Sequence, residues 1–354
     1  MRVYPPQTVV TPLTVIRRER LLPVPGDVLA QEGSQVEPVD IVARAGLPSG
    51  FRIVNVSHRL GVSTSAVRKY LKVKPGDRVK KGQVIAATRG LIRRTVRAPI
   101  EGVVTGIGGG RVLIEAPPRE IELRANLYGE VVQVIPERGV VLQAHGAWVQ
   151  GAWGNGQEGN GILRVISKAP DAPLRAKDID VSCRGMVLIG GSRFGVEVLE
   201  RAIEVQVRGI ICGGILAEAI PQAQEVPFPV IITDGIGATP MCAHAYQLLS
   251  AHDGREAMLD GRFRSHWGSI RPEIVIPLPA VPERETSFDP DTPLQVGDTV
   301  RLLRAPHRGV VGKVEAFPVW VRTQVGSRLP AARVRVEGNG ETLIAPLINL
   351  EILR

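Results

Sequence analysis

The sequence contains few aromatic residues, few cysteines and no long apolar run. Phe, Tyr and Trp make up 4% of the 354 residues, so aliphatic side chains, alanine and glycine must fill the interior. Cys183, Cys212 and Cys242 lie far apart in apolar stretches, which predicts buried free thiols in a reducing compartment rather than disulfides. No apolar segment approaches the roughly 20 residues that span a bilayer, and the first residues lack a signal-peptide pattern. We therefore expect a cytoplasmic protein without a membrane partner.

Motifs that would indicate catalysis are also missing. The sequence has no G-K-[ST] phosphate loop, no G-x-S-x-G elbow, no metal-ligand spacing and no evident carboxylate pair. It therefore predicts no catalytic residue, no metal site and no cofactor, and an enzymatic role rests only on the central segment described below.

Positive charge is concentrated in two segments. The net charge is +9, but residues 51–100 contain 13 Lys and Arg against one acid, and residues 296–336 contain eight against two. The remainder of the chain is therefore acidic. Clustered cations attract polyanions and make binding dependent on salt, although they also serve simply to keep a surface soluble.

An internal repeat marks the N-terminal third. The segment that begins at Glu32 recurs 43 residues later in the segment that begins at Pro75. The positions that match are Gly33, Val36, Ile41, Val42 and Ala43 in the first copy, and Gly76, Val79, Val84, Ile85 and Ala86 in the second. Each copy reads as a tight turn followed by a half-buried strand. We expect the two copies to pack face to face in one small sandwich or barrel.

The second copy continues into a motif that resembles a known family. Residues Val73–Ile107 contain G-D-x-V-x-x-G-x-V-I-A followed by A-P-x-x-G-V-V. This segment is similar to the lipoyl/biotinyl barrel-sandwich hybrid, a resemblance that implies the same fold. In that family a lysine in the hairpin between the two motifs is acylated, and its position here falls near Leu91. No lysine occurs from Gln83 to Gly102, so the resemblance implies a structural module, as in some large assemblies, and no carrier.

A basic segment lies between the two copies. Residues Arg59–Leu71 resemble the start of a helix-turn-helix recognition unit, with Ser63 as the N-cap and Arg68 and Lys69 pointing outward. A complete unit needs a preceding helix, and Phe51–Ser57 reads as a strand. The alternative is a short basic helix that caps the barrel.

The middle third alternates buried strands with helices, which favours a small parallel α/β sheet. Ligands of such sheets bind beyond the carboxyl ends of the strands, which here are Gly190-Gly191-Ser192, Gly213-Gly214 and Thr233-Asp234-Gly235. Asp234 is the candidate base or ligand contact. The alternative is a set of tight strand-to-helix turns in which Asp234 is a cap.

The last segment resembles a second family. Val296–Phe317 has the spacing of the KOW motif of ribosomal proteins and elongation factors, with Gly297, Asp298, Gly309 and Gly312 at its turns. The resemblance implies an SH3-like barrel, and such barrels bind RNA, protein or only their own neighbours. The implied contact residues are Arg301, Arg304, His307, Arg308, Lys313, Arg322 and Arg328.

Together these patterns predict a mixed fold in three parts: a β-rich barrel-sandwich hybrid (residues 1–166), a small parallel α/β domain (180–280) and an SH3-like β-barrel (294–354). Three functions stay open, namely a nucleic-acid- or nucleoprotein-binding protein, a scaffold that docks other proteins, and a ligand-binding or enzymatic α/β domain. The predicted nucleic-acid contacts are Arg59, Arg68, Lys69, Lys72, Lys80, Lys81, Arg93, Arg94, Arg301, Arg304, Arg308 and Lys313. The polyanion hypothesis expects these cations to form one continuous surface.

Overall fold

The structure is a computed structural model that describes residues 3–89, 93–264, 270–279, 292–304, 306–322, 326 and 328–354. It is β-rich, with 46% strand and 14% helix. No helix in the described part of the chain has the length and apolar character needed to cross a membrane. The three cysteines are buried and free, as predicted.

The N-terminal half consists almost entirely of strands. They are β1 (Gln7–Thr8), β2 (Val10–Leu21), β3 (Asp27–Val28), β4 (Gln35–Val36), β5 (Ile41–Leu47), β6 (Phe51–Asn55), β7 (Arg78–Val79), β8 (Val84–Ala87), β9 (Thr95–Arg97), β10 (Gly102–Gly108), β11 (Arg111–Glu115), β12 (Arg119–Arg124), β13 (Gly129–Ile135), β14 (Gly139–Gln150), β15 (Trp153–Gly154) and β16 (Glu158–Val165). A short helix, α1 (Val56–Leu60), and a 3-10 turn (Val67–Lys69) interrupt them.

The C-terminal half contains the other helices. Its elements are β17 (Met186–Ile189), α2 (Val196–Val205), β18 (Gly209–Ile215), α3 (Ile220–Glu225), β19 (Val230–Ile236), α4 (Ala243–Ala251), β20 (Glu256–Asp260), β21 (Glu273–Pro277), β22 (Thr299–Leu302), β23 (Val311–Arg322), β24 (Arg328–Val336), β25 (Thr342–Pro346) and β26 (Leu350–Leu353). Further 3-10 turns span Ala176–Asp178, Val181–Cys183, Ala217–Ala219 and Leu347–Asn349.

Residues 51–115 form a unit that we call the inner barrel. Its strands pair in the order β6-β11-β10-β7, and β8 pairs with β9 as a separate hairpin. The core is aliphatic, and all of its fully buried members lie between Val54 and Ile114. The inner barrel therefore has a hydrophobic core of its own.

A second unit, the outer barrel, surrounds the inner one in sequence. It comprises residues 10–47 and 119–150, in which β5 pairs with β3 and β12, and β13 pairs with β4 and β14. Val36, Val42, Val131 and Leu142 lie together in its core.

The two barrels have the same strand register. Gly102 pairs with Val79 in the inner barrel, and Gly129 pairs with Val36 in the outer barrel. A Cβ on either glycine would lie against the next strand, 2.0 Å from the Glu115 carbonyl oxygen at Gly102 and 2.3 Å from that of Gln143 at Gly129. Both positions therefore require glycine for the same steric reason.

Their hydrogen bonds and bulges also match. The Gly76 amide donates to the Val104 carbonyl at 2.8 Å, and the Gly33 amide donates to the Val131 carbonyl at 2.7 Å. A register shift follows Val104 on β10 and Val131 on β13. The sequence repeat is thus a duplication of a whole strand arrangement.

The duplication is nested, which differs from the expected face-to-face pair. The inner barrel is inserted between β5 and β12, whose pairing Ile41–Arg124 corresponds to the pairing Val84–Arg97 of the β8–β9 hairpin. The strands that complete each barrel come from later in the chain. They are β9–β11 for the inner barrel and β12–β14 for the outer barrel, so each copy builds a separate core. In the outer barrel, the insertion occupies the hairpin position at which the lipoyl/biotinyl family has its lysine. The corresponding position of the inner barrel, Leu91, lies outside the described residues.

The central strands belong to a sheet that extends into the outer barrel. Strands β17–β19 are parallel, as expected, and β16 joins them as a further parallel strand. The predicted last strand, β21, is instead antiparallel, and with β20 it connects this group to β14. The predicted linker at 167–180 contributes Leu174 and Ile179 to the core under α2 and α3. The sheet is therefore continuous across the predicted boundary.

The C-terminal module is a six-stranded sheet in the order β1-β26-β22-β23-β24-β25. Its first strand comes from the other end of the chain, since Gln7 and Thr8 run parallel to β26. Its similarity to KOW motifs stays a prediction.

A buried group of charges, the ion cluster, joins the C-terminal module to the central sheet. Arg301 on β22, which is 5% exposed, pairs with Asp234 from β19 and with Glu351 on β26. Arg271 also donates to Glu351 at 3.0 Å, and the Thr8 hydroxyl donates to the same carboxylate. Two cations and two anions from four distant segments thus neutralise each other.

The ion cluster perturbs its members in the expected directions. Burial opposes ionisation of Glu351, but Arg301 and Arg271 outweigh it and hold the pKa of this carboxyl below its ordinary value of 4.5. Burial likewise opposes the charge of Arg301, yet Asp234 and Glu351 raise the pKa of its guanidinium.

The nested arrangement predicts that the inner barrel can be removed. Replacing residues 48–118 by an Asn-Gly dipeptide would join Leu47 to Arg119, which already pair across β5 and β12, through a favourable two-residue turn. We expect the remainder to keep its sheet in the native state and to unfold in one cooperative transition, because the inner core contains no residue of the outer barrel. Circular dichroism and a urea titration would check this, and a molten product would contradict it.

The ion cluster predicts a large effect for the loss of one cation. Arg301→Leu leaves Asp234 and Glu351 buried with too little positive charge, and we expect the free energy of unfolding to fall by about 3–5 kcal/mol. Arg304→Leu, which removes an exposed cation three residues away, should change it by less than about 0.5 kcal/mol. Equal effects in urea denaturation would contradict the assignment.

The lowered pKa of Glu351 predicts a pH dependence of stability. The native state resists protonation of this carboxyl, so its contribution is present above the ordinary value of 4.5 and is lost as the pH falls below it. We expect Glu351→Gln to flatten the acid limb of the stability profile in urea titrations at successive pH values. An unchanged acid limb in this variant would refute the coupling.

Candidate cationic interface

The most basic surface of the described chain lies on the inner barrel. All 13 Lys and Arg side chains of residues 51–100 are exposed. Within the described part of the chain, none of them forms an ion pair with a carboxylate. Their charge is therefore directed to solvent.

Helix α1 and the β8–β9 hairpin meet at one end of the inner barrel. The Asn55 side chain caps α1 by accepting from the His58 amide at 3.1 Å. At the other end of the helix, the Arg94 guanidinium donates to the Leu60 carbonyl at 3.2 Å. This contact places Arg94 and its neighbour Arg93 beside Arg59.

The segment after the 3-10 turn reaches the same end. Val67 is buried in the inner core, and the chain then runs antiparallel to β8, with the Ala87 amide donating to the Tyr70 carbonyl at 2.9 Å. Arg68 and Lys69 therefore lie beside the end of β8, close to Arg89. We call this group the cationic cap; its members are Arg59, Arg68, Lys69, Arg89, Arg93 and Arg94.

The recognition helix suggested by the sequence is not formed. Residues after Gly61 make turns and a single 3-10 turn, Val67–Lys69, and the only α-helix of this segment is the five-residue α1. Leu60 and Val67 are drawn into the barrel core, so side-chain burial decides the backbone path here. The segment covers the barrel, which agrees with the alternative, although as turns rather than as one helix.

Three other predicted contacts of the inner barrel lie away from the cap. Lys80 and Lys81 are in the turn before β8, whereas the cap lies beyond its end, about 13 Å away for a four-residue strand. Lys72 lies between them, because its amide donates to the Ile85 carbonyl. All three are exposed.

The remaining predicted contacts lie on the C-terminal module, which has a hydrophobic core separate from that of the inner barrel. Arg304, Arg308 and Lys313 are exposed, and the Arg308 side chain lies over Gly235. Arg301 is buried in the ion cluster and offers no surface to a polyanion. The two basic segments thus share neither a sheet nor a core, and the cationic cap is formed by the inner barrel alone.

The carboxyl ends of the parallel strands are filled by protein backbone. A Cβ on Gly191 would lie 2.2 Å from the Ala169 carbonyl oxygen, one on Gly213 2.3 Å from the Met241 amide, and one on Gly214 2.2 Å from the Gly237 carbonyl oxygen. Gly190 packs against Leu174, and Ser192 is buried. These glycines allow close packing of loops and leave no space for a ligand beside them.

Asp234 is occupied by structural contacts. One carboxylate oxygen accepts from the Cys242 amide at 2.9 Å and from the Thr233 hydroxyl at 2.7 Å, and the other pairs with Arg301. Both carboxylate oxygens are therefore engaged, one by Thr233 and by Cys242, which is itself the N-cap of α4, and the other by Arg301. Arg271 and Glu351 are not among the residues predicted from the sequence, although a charged residue within an apolar strand, such as Glu351 in NLEIL, is a detectable signal of a buried pair.

Comparison with known families supports the inner barrel alone. Residues 54–117 match the family model described as the RnfC barrel sandwich hybrid domain, a segment of less than a fifth of the chain. No curated protein gives a significant match to the chain. The match confirms the resemblance to a barrel-sandwich hybrid that the motif at Val73–Ile107 carries, and this segment is similar to that domain of RnfC.

Proposed function

We propose that this protein is a non-catalytic binding protein that attaches to nucleic acid, or to a nucleoprotein, through the cationic cap of its inner barrel. The observation that supports this most is the group of six exposed cations at one end of a small unit, none of which forms an ion pair in the part of the chain that the structure describes. Phosphate contacts of Arg and Lys provide affinity with little sequence preference.

Several arginines of the outer barrel and central sheet, unlike those of the cap, are paired with carboxylates. In the outer barrel and central sheet, Arg18 pairs with Glu273, Arg20 with Glu158 at 2.8 Å, and Arg262 with Asp260. The same chain thus neutralises arginines where they stabilise the fold. Cations that repel each other without compensation favour the binding of an external polyanion.

The way in which the inner barrel is connected to the rest of the chain suits a ligand-binding unit. Its two connections, residues 48–50 and 116–118, form a mostly exposed neck held by a hydrogen bond from the Ala116 amide to the Gly50 carbonyl. The cap can therefore approach an extended ligand while the rest of the protein remains at a distance.

A scaffold role is the second candidate, and one feature favours it. Strand β6 lies at an edge of the inner-barrel sheet, and its Phe51 and Ile53 side chains are 60% and 56% exposed. An unpaired edge with apolar side chains is suited to the addition of a strand from a partner protein. A ligand-binding or enzymatic site at the central strands has less support, given the packed glycines and the engaged Asp234.

The cap predicts a salt-dependent loss of affinity in a triple variant. We expect Arg68→Ala, Lys69→Ala and Arg93→Ala together to weaken binding of a labelled duplex, and to reduce the slope of log K against log salt by about three, because each lost phosphate contact contributes about 0.9. Fluorescence anisotropy between ~50 and ~200 mM salt would measure both quantities.

A matched control separates local contacts from overall charge. Lys168→Ala, Arg175→Ala and Lys177→Ala remove the same charge from exposed positions between β16 and β17, and should leave the slope nearly unchanged. If the two triple variants changed the affinity and the salt slope equally, binding would depend on overall charge and not on contacts of the cap. Tight binding of a protein partner that persists at high salt, with no duplex binding, would favour the scaffold.

A further inference from the structure

We propose that the β23–β24 hairpin of the C-terminal module is a separate binding site for single-stranded nucleic acid. An unpaired base would stack on Trp320, and Arg322 and Arg328 would contact the neighbouring phosphates. The site lies in a different unit from the cationic cap and does not depend on the function proposed for it.

Trp320 is one of the exposed large apolar side chains of the described residues. The side chain is 55% exposed, whereas Trp148 is buried and holds Glu273 with its indole N–H at 2.9 Å. The hairpin extends beyond the core of its module, since burial ends at Val314 on β23 and begins only at Ala331 on β24. A tryptophan at such a position provides a large flat surface to a ligand.

Arg328 lies next to the indole ring. Its guanidinium carbon is 5.3 Å from the ring centroid, which is the distance of a cation–π contact. The contact orients the Arg328 guanidinium beside the ring, while Trp320 stays 55% exposed. An aromatic ring with an adjacent cation is the combination that holds single-stranded bases and their phosphates.

The pairing register places a second cation opposite the first. Arg322 and Arg328 face each other directly across the two strands, and like charges in that position destabilise a hairpin. Among the described residues, neither has a carboxylate partner, and the Arg322 Nε donates only to the Gly326 carbonyl at 3.5 Å.

A similar pair in the same sheet is compensated. Lys313 and Arg335 are also opposite each other, but Arg335 forms an ion pair with Glu315 at 2.8 Å. In this pair Glu315 therefore reduces the repulsion between Lys313 and Arg335. At the hairpin the compensating anion is absent from the described residues, and a phosphate group has the charge and the acceptors to bridge both guanidinium groups.

The chemistry points to single strands in particular. Stacking on Trp320 requires a base that is not paired, and such stacking contributes about 1–3 kcal/mol per base. The inner barrel, by contrast, has only Phe51 and Tyr70 as aromatic residues, and so provides backbone contacts. Stacking is tolerant of sequence, so the site should accept pyrimidine and purine oligomers alike.

Tryptophan fluorescence of the full chain provides the test. We expect oligo(dT) or oligo(U) to quench the emission of the wild-type protein, and the quenched component to disappear in Trp320→Phe. Trp320→Ala should weaken binding at least about fivefold, the lower limit for loss of one stacked base. Trp320→Phe should retain more of the affinity than the alanine variant.

Controls distinguish this site from general charge and from the cap. Ile348→Ala, which truncates an exposed side chain of the same module, should leave affinity unchanged, and the cap triple variant should retain the quenching. Circular dichroism would establish that each variant is folded. The proposal is overturned if Trp320→Ala binds oligo(dT) like the wild type, if duplex quenches as strongly as single strands, or if polyglutamate displaces the oligomer equally well.

Discussion

The ion cluster of Arg301, Asp234, Glu351 and Arg271 is the interaction on which the assembly of the chain depends. It connects β1, the central sheet and two strands of the C-terminal module through one neutral set of buried charges. A buried ion pair adds little net stability compared with apolar packing, but the loss of one member is costly. The cluster therefore fixes how the C-terminal module docks, and it withdraws Asp234 and Arg301 from any role at the surface.

The nested barrels show how one local pattern can build two units. Turn, strand and close glycine approach recur with the same pairings at Gly102 and Gly129, so each copy folds by the same rules. Insertion of the second copy between β5 and β12 causes no conflict, because the ends of a hairpin are adjacent and tolerate long insertions. As a consequence, the basic inner barrel is connected through its exposed neck to the outer barrel. The outer barrel in turn shares strand β14 with the central sheet.

The distribution of charge follows from this architecture. Arg18 and Arg20 of the outer barrel lie where strands from distant segments meet, and there Glu273 and Glu158 neutralise them. The inner barrel contacts the rest of the chain mainly through its neck, and within the described residues none of the cations at 51–100 forms an ion pair with a carboxylate. The C-terminal module contains both kinds of charge: Arg335 and Arg354 pair with carboxylates, whereas Arg322 and Arg328 beside Trp320 form no ion pair among the described residues.

Local patterns in the sequence determined the barrel-sandwich segment, the buried cysteines, the alternation of central strands and helices, and the exposed charge of residues 51–100. Each depends on residues close together in the chain, such as Gly76, Val79 and Val84, whose turn and burial preferences act over a few positions. The path of residues 61–71, the nesting of the barrels and the pairing of Arg301 were decided only by tertiary structure. Arg301 lies 67 residues from Asp234 and 50 from Glu351, and no local preference reports such a contact, because its energy arises only when burial removes water from both partners.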